Sequence, residues 1–422
     1  MMESRYPLEI ALGMEYYASD TPGIGGRLRA SPEDFMVEEI APVTGDEGPF
    51  LILRLTKKGW DQQRALREIG RQLGISYKKI GFAGTKDKHA VTSQLISIPG
   101  ISPGDIGRVR LRDIGLEVVG RSPSPITLGS HVANRFDITI REAVTANLGE
   151  NIARVSEVCR TGVPNYFGIQ RFGVTRPITH AVGRCLLKGD LEGAVLCYIG
   201  EAFPDEPGEV RNARSSFLSS GDVRAAIREF PLPLSYERSM LHHLAGSPGD
   251  YHGALATLPP KILSLFVSAY QSWLFNRALS ERIRDGGNLI DPLPGDRLLF
   301  LTGREDRVTD RNIGSARLQL QRGRCRIALR MPGCGRPGQV SGDQAAMERL
   351  LEEDGIREED FCSVRDLVKA RFEGAARPVS LTADVCAMAG EDSARLSFSL
   401  PPGQYATTIC REYMKADPRA MI

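Results

Sequence analysis

Two short segments concentrate groups that could do chemistry. In AGTKDKHAVTSQ (83–94), Asp87 stands between Lys86 and Lys88. Neighbouring cations favour the ionised form of a carboxylate, and an ionised carboxylate held in place can act as a nucleophile. The alternative is a solvated aspartate between two lysines, which is common, and the spacing alone favours it. In NYFGIQRFG (165–173), aromatic rings are interleaved with Asn165, Gln170 and Arg171. A ring such as Phe167 beside amide and guanidinium donors suits a pocket for an unstacked nucleic-acid base. A half-buried aromatic turn fits the same residues.

Other patterns fail on context. GCGRPG (333–338) has the spacing of a dinucleotide fingerprint, but Pro337 sits inside it and no helical pattern follows. GFAGTKDK (81–88) carries Asp87 where a phosphate-binding loop needs Ser or Thr. The eight cysteines form no CxxC pair and the six histidines no HExxH, so no protein-built metal site is expected. The scattered cysteines are expected to be reduced thiols.

The elements that must carry these segments follow from periodicity. The Asp87 loop comes after KKIGFAG (78–84), a strand running into a loop, where catalytic groups tend to lie. Strands are also expected at 34–40, 50–55, 95–98 and 133–141, and helices at 64–73 and 151–161. Leu66, Ile69 and Leu73 share one helix face, and Gly74 suits its end. From about residue 185 helices dominate, at 191–198, 220–228, 260–285 and 345–353. The longest presents Leu265, Phe266, Ala269, Trp273 and Leu279 as an apolar face. Strands return at 379–389 and 394–400, followed by a helix from Ala406. The texture is that of an α/β (α+β) chain in which a strand-rich domain, residues 1–185 and 373–422, is interrupted by a helix-rich one, 186–372.

Composition agrees with a soluble globular protein of two or three domains: 422 residues, 41% hydrophobic and 25% charged. Disorder, collagen and coiled coil are excluded. No apolar run approaches the roughly 18 residues of a membrane span, and no secretory leader pattern opens the chain, so a cytoplasmic location is expected. The net charge of +2 says little, but its distribution says more. Residues 54–88 hold ten Lys/Arg against three acids, residues 304–336 nine Arg against three acids, and residues 343–360 eight acids against two Arg. The basic segments are either a nucleic-acid footprint or solvated faces balanced by the acidic helix.

Taken together, the two chemical segments resemble the signature motifs of the TruD family of pseudouridine synthases. Further ordered matches are RASPEDFMVEE (29–39), LRLTKKG (53–59), TRPITH (175–180), AYQSWLFN (269–276) and LPPGQYATTICRE (400–412). The form of the Asp87 loop and the long insertion look closer to archaeal members. The resemblance implies a pseudouridine-synthase catalytic domain with a mixed, largely antiparallel sheet. It also implies a helix-rich α/β insertion (TRUD) domain and an RNA-binding cleft between the two. The implied activity is isomerisation of uridine to pseudouridine in tRNA, mainly at position 13, without cofactor or metal. The family's nucleophilic aspartate falls on Asp87, and its pairing cation on Arg29, where other members carry Lys. Its pocket residues fall on Phe35, Asn165 and Tyr405, where other members of the family carry Phe at the last; Lys86, Phe167, Gln170 and Arg171 are further expected substrate contacts. The partner is then tRNA, with no membrane, and a monomer is expected. The competing readings are a non-catalytic RNA-binding protein with the same cleft, and a hydrolase. The hydrolase would need Asp34, Glu38 or Glu39 as a second carboxylate beside Asp87.

Overall fold

Alternation of apolar and polar side chains builds the larger sheet. In the computed structural model its main strands are β1 (Phe35–Ile40), β2 (Phe50–Lys58), β3 (Val91–Pro99), β4 (Ile114–Ser122), β5 (Ala133–Ala143), β6 (Cys386–Ala389) and β7 (Ser393–Leu400), with the short strands Gly25–Arg27 on β5 and Gly81–Phe82 on β3. The structure describes every residue except 43, 44, 46, 145, 335–341 and 422, and of residues 342–344 only the backbone. The strand order is β6-β7-β5-β1-β3-β2-β4. Only β1 and β3 run parallel; the other neighbours are antiparallel.

The chain forms two compact units. Residues Ala18–Val163 and Leu381–Ile422 make the first, and Met1–Tyr17 with Pro164–Ser380 the second. In the first, the helix Gln62–Leu73 buries Leu66, Ile69 and Leu73 against Leu53, Leu55, Ile96 and Ile98 of β2 and β3. The Asp61 side chain accepts from the Arg64 amide at 2.9 Å at its start, and Gly74, with φ 69°, ends it in the left-handed region. The helices Leu148–Thr161 and Ala406–Met414 share a second core with Phe136, Ile138, Leu396 and Phe398.

The second unit surrounds the helix Pro260–Arg284, which is buried on nearly every side. It also holds a four-stranded antiparallel sheet of Glu305–Arg307, Arg297–Phe300, Cys325–Met331 and Ala375–Pro378, in that order. Residues 164–185, expected with the strand-rich domain, pack here instead. The reason is the helix Thr179–Leu187, which lies so close to the long helix that a Cβ on Gly183 would meet the Phe266 carbonyl oxygen at 2.1 Å.

Several expectations need correction. The strand expected at 379–389 is broken into Ser380–Leu381 and Cys386–Ala389, because the Ala383 amide donates to the Cys159 carbonyl at a helix end. The helix expected at 220–228 is the end of one helix and the body of another. Gly221, with φ 65°, closes Gly208–Ser220, and the Asp222 side chain caps Val223–Glu229. Leu265 is 36% exposed rather than part of the buried face. Cys334 and Cys362 are not free thiols but a disulfide, their Cα atoms 5.0 Å apart. Strand β4 was not anticipated, since its half-exposed edge position demands little alternation. Most of the GCGRPG segment, residues 335–338, lies outside the described residues.

Candidate active site

The Asp87 loop is held by its main chain. It leaves the short strand Gly81–Phe82 and re-enters the sheet at Val91. Lys57, near the end of β2, is fully buried and points its ammonium at this loop. Its Nζ donates to the Asp87 carbonyl at 2.7 Å and to the Trp60 carbonyl at 2.9 Å. Burial pushes its pKa down to about 8, with Asp87 and Asp61 pulling it back up and Lys86 adding to the fall. Gln62 holds the loop twice more. Its Oε1 accepts from the Lys86 amide at 2.6 Å and its Nε2 donates to the Gly84 carbonyl at 3.1 Å.

The carboxylate of Asp87 faces solvent, 56% exposed, and is met by a guanidinium only 10% exposed. Arg29 Nη2 donates to Asp87 Oδ2 at 3.0 Å, and Arg29 Nη1 to the Met421 carbonyl at 3.3 Å. The guanidinium carbon lies 4.1 Å from the centroid of the Phe35 ring. Arg29 itself has φ 56°, a left-handed conformation that costs a non-glycine residue about 1–2 kcal/mol. The chain leading into it is pinned to the C-terminal segment. The Ile24 amide donates to the Tyr413 carbonyl and the Leu28 amide to the Ala420 carbonyl, each at 2.9 Å. Glu412, buried in the C-terminal helix, accepts from the amides of Ala18 and Ser19. Lys415 donates to the carbonyls of Ser19 and Thr21.

Other expected residues fall differently. Lys86 is turned inward, its Nζ 2.5 Å from Glu39 Oε2, with both side chains buried. In this position its ammonium is spent on Glu39 inside the fold. Phe35 is 1% exposed, its face taken by Arg29 and its edge packed on Phe136. Tyr405 is 44% exposed at the start of the helix Ala406–Met414. Asn165, Phe167, Gln170 and Arg171 belong to the other compact unit. There Asn165 is buried, donating to the Pro378 carbonyl at 2.9 Å and accepting from Arg377 Nη2 at 2.9 Å. The Arg377 guanidinium covers the Phe167 ring at 3.9 Å. The Phe167 amide and carbonyl are both bound by Asn276 of the long helix. Arg171 Nε donates to Ser272 Oγ of the same helix at 3.0 Å, and Gln170 is exposed. The three candidates for a hydrolase's second carboxylate are each engaged by cations: Asp34 by Arg141, Glu38 beside Arg54 and Arg135, Glu39 by Lys86.

The pattern of residues extends beyond this chain. A family model described as tRNA pseudouridine synthase D (TruD) matches residues 11–413. The chain belongs to the TruD family. It is 38% identical to a Methanococcoides burtonii protein named "Probable tRNA pseudouridine synthase D", over 98% of each chain. It is also 38% identical to the Thermococcus onnurineus protein of the same name, over 94% of this chain and 97% of that one. A crystal structure from Methanosarcina mazei described as TruD superposes with a TM-score of 0.86, at 36% identity, covering 99% of this chain and all of that one.

Within this TruD chain, the residues that sequence reading missed are Lys57, Gln62 and Glu39 as supports of the loop. A signal for Lys57 was available. In FLILRLTKK it has the same parity as Leu53 and Leu55, so a lysine stands where the strand turns its side chains inward. Among the described residues no cluster of three or more His, Cys, Asp or Glu could hold a metal ion, and no helix is long and apolar enough to cross a membrane.

Proposed function

We propose that this chain isomerises uridine to pseudouridine in tRNA, at position 13, with Asp87 as the nucleophile on a flipped-out nucleotide. The observation that carries the reading is the Arg29–Asp87 ion pair: an exposed carboxylate gripped by a nearly buried arginine, on a loop fixed from beneath. A solvated aspartate between two lysines needs no such support. In the reaction the Asp87 carboxylate adds to the nucleotide and the N1–C1′ glycosidic bond opens. The uracil then turns, C5 bonds to C1′, the bond to Asp87 breaks to return the free carboxylate, C5 gives up its proton and N1 takes one up. No electron or group leaves the nucleotide. Extruding the base costs a few kcal/mol, and a base–aromatic stack is worth about 1–3 kcal/mol. The exposed Tyr405 is the ring that can offer such a stack. Phe35 acts one step removed, as the platform that keeps the Arg29 guanidinium flat.

Tritium release from tRNA transcripts labelled at C5 of uridine tests this. Release by the wild type and none by Asp87→Ala, at equal tRNA affinity, is the expected result. Equal release by both would remove Asp87 from the mechanism, and no release by the wild type would overturn the isomerase reading.

A further inference from the structure

The helix Gln62–Leu73 has, besides its buried face, an outer side that carries Arg64, Arg67 and Arg71, all exposed. Their spacing of three and four residues puts them in one row. The segment around Arg110 joins this side. The Arg110 amide donates to Gln72 Oε1 at 2.7 Å, and Trp60 Nε1 donates to the Arg112 carbonyl at 3.0 Å. Lys78 and Lys79 follow in the 3-10 turn Tyr77–Lys79, and both are exposed.

What separates this side from an ordinary solvated one is how its arginines are held. Elsewhere in the same unit, Arg154, Arg160 and Arg395 lie against Asp20, Asp384 and Asp137. Here the Arg64 guanidinium sits 5.3 Å over the Trp60 ring and that of Arg67 5.2 Å over the Tyr77 ring. A ring orients a guanidinium without cancelling its charge. Among the described residues, Arg64, Arg67, Lys78, Lys79 and Arg110 form no ion pair with a carboxylate, and the acids of this side are engaged otherwise. Asp61 caps the helix, Glu68 takes Arg71, and Asp105 takes Ser102 and Arg108. The helix also begins at the Asp87 loop, through Gln62. At 1.5 Å per residue the row therefore runs outward from that loop for about 10 Å between Arg64 and Arg71.

We infer that Arg64, Arg67, Lys78, Lys79 and Arg110 form a docking face for the phosphate backbone of the substrate RNA, away from the modified nucleotide. This rests on the isomerase reading for the identity of the RNA. A backbone is the occupant that fits, because the face offers mainly point charges and guanidinium forks, and the Gln72 amide beside them is spent on the Arg110 main chain. Interactions of this kind fix position and affinity and carry no sequence choice.

The test compares the wild type with an Arg64→Ala/Arg67→Ala/Lys78→Ala/Lys79→Ala variant, using a full-length tRNA transcript over a salt series. The variant should bind about tenfold or more weakly near physiological salt. Its log–log salt slope should be shallower by about 0.7–0.9 for each phosphate that it no longer neutralises. Its KM should rise in step, with kcat at saturating tRNA kept within about twofold and an unchanged melting temperature. An Arg64→Lys/Arg67→Lys variant, which keeps the charge, should keep most of the slope. Equal affinity and slope in the wild type and the alanine variant overturn the proposal. So does a variant that loses binding to phosphatidylglycerol vesicles while its tRNA affinity stands. Tritium release by the wild type is scored separately. Its absence would sink the isomerase reading, whereas loss of RNA affinity in the variant would still support the face.

Discussion

At the scale of single residues, Lys57 does something unusual for a lysine. It carries its ammonium into the interior and gives it two carbonyl oxygens, one of them that of Asp87. Because its pKa is about 8 in the fold against an ordinary 10.5, the unfolded chain binds the extra proton between those values. Stability from this group is therefore fully present above about pH 10.5 and lost as pH falls toward 8. The hold on the Asp87 loop has the opposite trend, since a charged donor bonds a carbonyl more strongly than a neutral amine. Turnover is expected to fall above pH 8 while the melting temperature gains from this group, and Lys57→Met should flatten both trends. Lys57→Met should also lower kcat by about 10- to 100-fold with little change in KM, and Lys57→Gln should recover part of it. A Lys57→Met enzyme with normal kcat and an unchanged alkaline limb would rule this role out. Asp87 and Arg29 were legible in the sequence through motif resemblance, whereas of their supports only Lys57 left a signal, its inward parity on β2. Nothing in a run of letters says that Lys86 turns toward Glu39, or that Asn165 is taken up by Pro378 and Arg377. Those choices are made by the register of strands distant in sequence.

Among the elements, the long helix Pro260–Arg284 was readable in advance because it is long and periodic, and so was the core face of Gln62–Leu73. What periodicity did not show was the close approach of Thr179–Leu187 to the long helix, because a glycine at a close crossing carries no hydrophobic signal. Gly183 is that crossing, its missing Cβ leaving room for the Phe266 carbonyl. Gly183→Val should destabilise the chain by about 1–3 kcal/mol or more, as overpacking does, seen as a lower melting temperature. Gly189→Ala makes a useful contrast. Open space surrounds Gly189, but its φ of 71° penalises any side chain, so a modest loss from backbone strain is expected there. If Gly183→Val melted with the wild type, the two helices would not cross this closely.

On the scale of the whole molecule, two compact units are woven from alternating stretches of the chain. The disulfide Cys334–Cys362 closes a loop across 28 residues in the helix-rich unit, which in the chain-entropy account is worth about 3–4 kcal/mol. Reduction, or Cys334→Ser with Cys362→Ser, should lower the melting temperature of the chain and leave the kcat of isomerisation at low temperature unaltered. An identical melting curve with and without reductant would show that the bridge contributes nothing to stability. The same weaving sets an order on biosynthesis. The Asp87 loop leaves the ribosome early, but the strand beside β5 is β7, and the carbonyl that steadies Arg29 belongs to Met421, 392 positions later. A nascent chain therefore carries Asp87 long before it carries the groups that aim it. Nascent fragments that end before the C-terminal helix should be chemically silent, so that an unfinished copy can meet RNA without altering it.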